Sequence, residues 1–478
     1  MALSPDNVVT NFINALTKLP ADADTTSTLG PILAPPLALE QHLRQEFAKG
    51  TIVQDPYAGL LDFFSTPLPV RLARTRTGLP QGDPYLMPLE PELRRARGEP
   101  WCVESIAEFR KNWDIFTHGV LAELRDWKNI IVAGGSVLAC MTPIWPADNR
   151  TKLQTYHSQA YASSDVDIFL WGMDEEEAKK KMVVIYNAIT ESVPWDVVCV
   201  RRANTVSIYT QYPHRQVQIV LRLYQSPAEA LAGFDIDCCV VCYDGERIWA
   251  NPRATAACIA QRNTIDLTRR SPSYELFNPF LWDMPRGLAR LVVLEGCRQS
   301  YYLNFSFPSN RKALERKDII KYLEGDADDT EENNYDHTVL QVPYASGWDA
   351  ASIKQLLSKK VSISLNLQDT AAYGNLHIQE DIISSEYNLR NTDRHLHRHV
   401  LFVCDKIQDC FGNFCASCPA PRDDEERKLQ QEEEKIYIHG PLRFIRDNPG
   451  RQLVGSFYPL TANDWTAEAY DESEPMVM

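Results

Sequence analysis

The chain has 478 residues, 44% hydrophobic and 24% charged, a globular balance that allows several domains with full cores. Its 49 basic and 64 acidic residues give a formal charge of −15, which repels phosphate backbones and disfavours non-specific duplex binding. Met1–Asp6 lacks the charged start and apolar core of a signal peptide, and apolar runs fall short of the roughly 20 residues that span a bilayer, so the expectation is an intracellular, cytoplasmic or nuclear protein without membrane contact.

Residues 1–100 are rich in proline and turn residues, which predicts an arm or cap with helical patches over Asn7–Leu19 and Ala38–Phe47. From Val103 to Lys128 the apolar spacing of Ile106, Phe109, Trp113, Phe116, Val120 and Leu124 suits one helix. Strands and helices then alternate. Asn129–Ala133 is a short apolar strand, Gly134-Gly135-Ser136 a turn, and Val137–Met141 a helix that Pro143 stops. Val166–Trp171 reads as a buried strand. Asp174–Ser192 reads as a helix whose acidic start and following lysines suit its dipole. Strands over Val197–Arg201, Thr205–Thr210 and Val217–Tyr224 follow, then a helix over Ser226–Ala232 and a strand over Ile236–Tyr243 ending in a Tyr243-Asp244-Gly245 turn. The fold class is therefore α+β: a mixed sheet with flanking helices over 101–250, a helical extension over 251–325 and a C-terminal region over 337–478. Gly325–Asp336 reads as an exposed acidic loop and Asp423–Lys435 as a charged surface helix.

Asp165 and Asp167 lie two apart on a strand, so both carboxylates project to one face. Two such carboxylates repel unless a cation lies between them. Mg²⁺, or Mn²⁺, suits the pair because it takes one or two carboxylates and completes its shell with substrate phosphates and water. Such a pair can serve a two-metal in-line displacement. Gly134, Gly135 and Ser136, between a strand and a helix start, let backbone amides approach a phosphate, with the Ser136 hydroxyl adding a donor.

In this order, strand, Gly-Gly-Ser, helix and Ser164-Asp165-Val166-Asp167-Ile168-Phe169-Leu170, residues 129–250 resemble the catalytic core of the DNA polymerase β-like nucleotidyltransferase superfamily, including uncharacterised fungal and viral members. The resemblance implies that the Gly-Ser turn holds a nucleoside triphosphate such as ATP, that Asp165 and Asp167 bind metal, and that a later strand adds a third carboxylate. Strand Val217–Tyr224 offers only Gln218 for that role, and glutamine is a poor substitute for a charged ligand. The run Phe234–Asp244 is similar to the acidic strand of tRNA-terminus-adding enzymes, which makes Asp235 and Asp237 the candidates, with pairing to Arg222 or Arg201 as the plain alternative. The 28 residues between Ser136 and Asp165 are more than the superfamily uses, which an inserted loop over Thr142–Ser163 accounts for.

Cys404, Cys410, Cys415 and Cys418, with His395, His397 and His399 upstream, are a candidate structural zinc site or ordinary thiols. Arg269, Arg270, Arg286 and Arg290 suit phosphate contacts or surface ion pairs, and the aromatic tail from Phe457 to Tyr470 suits packing. The expected activity is Mg²⁺-dependent transfer of a nucleoside monophosphate from a triphosphate to a protein, RNA or small-molecule acceptor. The rival readings are a catalytically degenerate nucleotidyltransferase fold serving as a scaffold and a zinc-stabilised interaction protein.

Overall fold

The computed structural model describes residues 4–20, 22–74, 86–88, 95–143, 151–157, 161, 164–202, 205–234, 236–264, 346–355, 402–412 and 441–445. They form a mixed α+β fold around a nine-stranded sheet. In chain order the strands of that sheet are β1 (Leu61–Asp62), β3 (Ile130–Ala133), β4 (Val166–Trp171), β5 (Val198–Arg201), β6 (Thr205–Tyr209), β7 (Val217–Tyr224), β8 (Val241–Tyr243), β9 (Ile248–Ala250) and β11 (Phe402–Cys404). Across the sheet they run β1-β9-β8-β3-β4-β7-β6-β5-β11. Short strands β2 (Leu86–Pro88) and β10 (Arg262–Thr264) pair separately. Within the large sheet β4 and β7 pair parallel, while every other neighbouring pair is antiparallel.

The central strands are near-continuous runs of β-branched and other apolar residues because helices cover them. Ile130, Ile131 and Val132, and Val166, Ile168 and Leu170, are all buried. The N-terminal residues contribute to the same core. Helix α1 (Pro5–Lys18) buries Phe12 and Leu16 and packs on α2 (Thr25–Ala48), whose Leu43 and Phe47 join the core cluster. Where helical patches are expected, α2 is a 24-residue helix running through Pro31, Pro35 and Pro36. Pro31 and Pro35 are on its exposed side, where water can meet the carbonyls they leave unbonded.

Two elements depart from expectation. The helix predicted over Val103–Lys128 is shorter: α3 spans Ile106–Thr117 and ends at His118, which takes a left-handed conformation at φ 54° ahead of Gly119. The strand predicted over Ile236–Tyr243 begins only at Val241, and Asp237–Cys239 is a 3-10 turn. The cause is the Asp237 carboxylate, which turns back to accept from Thr264 N (2.8 Å) and Arg253 Nη1 (2.9 Å). The turn at Tyr243-Asp244-Gly245 is present: Asp244 Oδ1 accepts from the amides of Glu246 (2.9 Å) and Arg247 (2.6 Å). A Cβ on Gly245, at φ 93°, would stand 2.3 Å from the Trp127 ring, so only glycine fits there. Helix α4 (Gly135–Met141) packs on α3, and α6 (Glu175–Ser192) opens with a capping box between Asp174 and Glu177.

Arg253, on α8 (Pro252–Ala260), fastens three elements. Its Nε meets both Glu40 oxygens at 3.2 Å, its Nη1 meets Asp237, and its Nη2 meets Phe234 O at 2.5 Å, all in the interior. Removing the cation while leaving two buried carboxylates is strongly unfavourable. Arg253→Met is expected to lose roughly 3–5 kcal/mol in denaturant unfolding. An unchanged midpoint would show that the pairing adds nothing to the core.

Candidate nucleotide and metal site

Strand alternation puts Asp165 and Asp167 on the face opposite to the buried Val166 and Ile168. Both aspartates are half-buried. Because β7 runs parallel to β4, its start meets theirs, and the register pairs Asp167 with Gln218 and Val166 with Val217. Gln218 Nε2 donates to Asp167 Oδ1 at 2.8 Å, and Gln216 Nε2 to Asp165 Oδ2 at 3.3 Å. On the next strand Ser207 pairs with Gln218, and its hydroxyl donates to Gln218 Oε1 at 3.3 Å. An Asp-x-Asp pair thus faces a Gln-x-Gln pair, one amide to each carboxylate.

No lysine, arginine or histidine among the described residues forms an ion pair with either aspartate. Burial raises the carboxyl of Asp165 above its ordinary value, against its own backbone N–H, the Gln216 amide and the charge of Arg215. The carboxyl of Asp167 is raised well above its ordinary value, by burial first and then by the charge of Asp165.

Antiparallel β3 ends where β4 begins. Val132 pairs with Ile168, so the same register carried forward sets Gly134 beside Val166 and the Gly-Gly-Ser turn beside the aspartates. Gly134 takes φ 88°, and its N–H donates to Val241 O at 3.0 Å. A Cβ there would meet the Phe234 ring at 3.0 Å, so glycine is required both by the dihedral and by the ring. The Ser136 hydroxyl is buried and has no hydrogen-bond partner among the described residues. A buried hydroxyl without a partner is unfavourable unless something outside the chain completes it. Helix α4 has only seven residues, so the turn and this hydroxyl matter more than a helix dipole.

Arg215 holds the approach to Asp165. Its guanidinium is fully buried, 4.3 Å above the Phe116 ring, and donates to the carbonyls of Phe116 (3.0 Å), Tyr156 (2.8 Å), Ser164 (2.9 Å) and Tyr161. The inserted segment contains a short helix α5 (Lys152–Thr155), and Arg215 ties its far end to the start of β4.

Asp237 is committed to Arg253 and the Thr264 amide rather than to Arg222 or Arg201, so its carboxylate serves the fold. Asp235 lies outside the described residues. Of the cysteine group, Cys404 and Cys410 come together with their sulfurs 2.8 Å apart, beside Cys199 of β5. Cys415, Cys418 and the three histidines lie outside the described residues, as do Gly325–Asp336, Asp423–Lys435, the four arginines and the aromatic tail. Among the described residues no three His, Cys, Asp or Glu side chains form a metal-holding group, and no helix is long and apolar enough to cross a membrane. Sequence reasoning missed Gln216, Ser207, Arg215 and Arg253. A Gln-x-Gln at the same spacing as the Asp-x-Asp was the available signal for the first of these.

Residues 107–261, from α3 to the end of α8, match the Gabija anti-defense 2 family protein. The chain is also similar to Uncharacterized protein R883 of Acanthamoeba polyphaga mimivirus, at 23% identity over 418 residues that cover 77% of this chain and 88% of that relative. No solved structure matches it. The family match spans the turn, the aspartate pair, the glutamine pair and Arg253.

With carboxyl values raised above the ordinary 3.8, the folded chain binds more protons than the unfolded one. The pair therefore lowers the stability of ion-free protein progressively as pH rises from about 4 through the folded-state values. Asp167→Asn is expected to raise the melting temperature of chelator-treated protein at neutral pH, by roughly 2–4 °C for each kcal/mol of repulsion removed, and to have no advantage near pH 4. Calorimetry of both proteins across pH checks this. An Asn variant less stable at neutral pH would contradict the repulsion.

Proposed function

We propose that the chain is a divalent-cation-dependent nucleotidyltransferase. It moves a nucleoside monophosphate from a triphosphate to an acceptor oxygen: the acceptor–phosphorus bond forms, the bond between the α- and β-phosphates breaks, and pyrophosphate leaves. One observation carries the reading: two carboxylates on one face which, among the described residues, have no cation paired to them, at the sheet end where a glycine turn sets a buried hydroxyl that has no partner among those residues.

The donor set fits Mg²⁺ or Mn²⁺, which take oxygen ligands and leave positions for phosphate and water. Asp167 Oδ2 and Asp165 Oδ1 take no side-chain donor among the described residues, which leaves one oxygen of each for a cation. When bound, the ion neutralises charge on the phosphates and polarises the α-phosphorus. The chain's own part is positional. Gln216 and Gln218 orient the carboxylates through their amides, Ser136 donates to a phosphate oxygen, and Gly134 keeps the backbone close enough for that contact. Arg215 fixes the segment that leads into Asp165.

The sequence resemblance to polymerase β-like nucleotidyltransferases supports the same reading, and this strand and turn order is compatible with their core. The family match supports a biological setting, countering a Gabija defence, in which transfer to a protein, RNA or small molecule is the act. One observation favours a second reading, a binding module without catalysis: the position paired with Asp167 is the neutral Gln218.

Incubation of the purified chain with each α-labelled triphosphate, Mg²⁺ or Mn²⁺ and lysate acceptors tests the two readings. Label is expected on one acceptor class and is expected to fall at least 100-fold in Asp165→Ala/Asp167→Ala, on the scale of removing a transition-state contact. No transfer from folded protein, together with retained nucleotide binding, would sink the enzyme reading in favour of the binding module.

A further inference from the structure

Resting on that reading, we infer that the site holds one divalent cation per chain rather than two, and that Gln218 is the residue that sets this number. Among the described residues, the strip of side chains across the sheet end consists of Asp165 just ahead of β4 and Asp167 on it, Gln216 just ahead of β7 and Gln218 on it, and Ser207 on β6. Its ionised charge is that of its two aspartates, which one divalent ion neutralises. A second ion held a few ångströms away would face the first with no further protein anion among the described residues to offset their repulsion.

The glutamines cannot make up the difference. Gln218 is held at both ends of its amide: the nitrogen donates to Asp167 Oδ1 at 2.8 Å, and the oxygen accepts from the Ser207 hydroxyl at 3.3 Å. That oxygen is turned to the neighbouring strand, away from the carboxylates a cation would bridge. Gln216 likewise presents its nitrogen to Asp165. Of the two further acids considered on the family-matched segment, Asp235 lies outside the described residues, and Asp237 has one oxygen on Arg253 and the other on the Thr264 amide. No third His, Cys, Asp or Glu completes a metal-holding group among the described residues. A carboxylate at position 218, paired in register with Asp167, would supply that third ligand.

The test is titration of the full, chelator-treated chain with Mn²⁺, with free ion read from its room-temperature paramagnetic resonance signal. The native protein is expected to bind one Mn²⁺ per chain and Asp165→Asn/Asp167→Asn none in the same range, while Gln218→Glu is expected to bind two. Two ions on the native protein would overturn the inference and leave the nucleotidyltransferase reading standing. One ion on a folded Gln218→Glu would show that position 218 does not set the number. No ion on the native protein would bring down the metal-dependent reading as well. Should Gln218→Glu fail to fold, Gln218→Asp replaces it, and the native count decides the first question without any variant.

Discussion

The parallel alignment of β4 with β7 is the constraint on which the site depends. In a sheet whose other large-sheet pairs are antiparallel, this one pair starts its two strands at the same end. Parallel strands need a long crossover, and here α6, β5 and β6 provide it between residues 175 and 209. An antiparallel β7 would have sent Gln216 and Gln218 to the far end of β4. As built, the start of β4, the start of β7 and the end of β3 converge, and aspartates, amides and the glycine turn meet at or just beyond these strand ends.

Around this convergence three arginines of the acidic chain lie in the interior. Arg215 satisfies carbonyls of Phe116, Tyr156, Tyr161 and Ser164; Arg222 pairs with Glu229 at 2.9 Å; Arg253 joins Glu40 to Asp237. Each guanidinium is buried, and each binds chain that no continuous hydrogen-bond ladder could hold. A planar fork of five donors suits that work better than an ammonium. Arg253 also removes Asp237 from the pool of free carboxylates. The same contact that secures the 3-10 turn thus sets Asp237 apart from Asp165 and Asp167, which have no ion-pair partner among the described residues.

What could be read from the sequence was local. The spacing of Asp165 and Asp167 on an apolar strand fixes their common face in any sheet, and the acidic opening of α6 is its own capping signal. Residues 205–209 and 217–224 alternate or run apolar in ways that only strands use. Pairing across the sheet was not local. Nothing near Gln216 announces Asp165, because their meeting depends on the direction of β7. Nor does the pattern from Val103 onward reveal that His118 turns left-handed, since Val120, Leu121 and Leu124 still reach the core from the following turns. Asp237 misled for a related reason: its partner, Arg253, is on the helix that follows the β8–β9 hairpin.

The stability of the sheet end bears on whether its aspartates work. A strand end whose only task was packing would be better served by asparagines, which keep the amide contacts of Gln216 and Gln218 and carry no mutual repulsion. It would equally be better served by an alanine in place of Ser136, whose buried oxygen has no partner among the described residues. The chain bears both costs within one strand register of each other, and beside them a glycine at φ 88° pressed against the Phe234 ring. Buried polar atoms without a partner among the described residues also occur elsewhere in the sheet, at Trp171 Nε1 and Tyr224 OH, so it is the coincidence of the Ser136 hydroxyl with the carboxylate pair that supports the proposed site. On the reading proposed above, a cation-bound phosphate would present positive charge to the carboxylates and an acceptor atom to Ser136 at once, which neither a cation alone nor an apolar ligand would do.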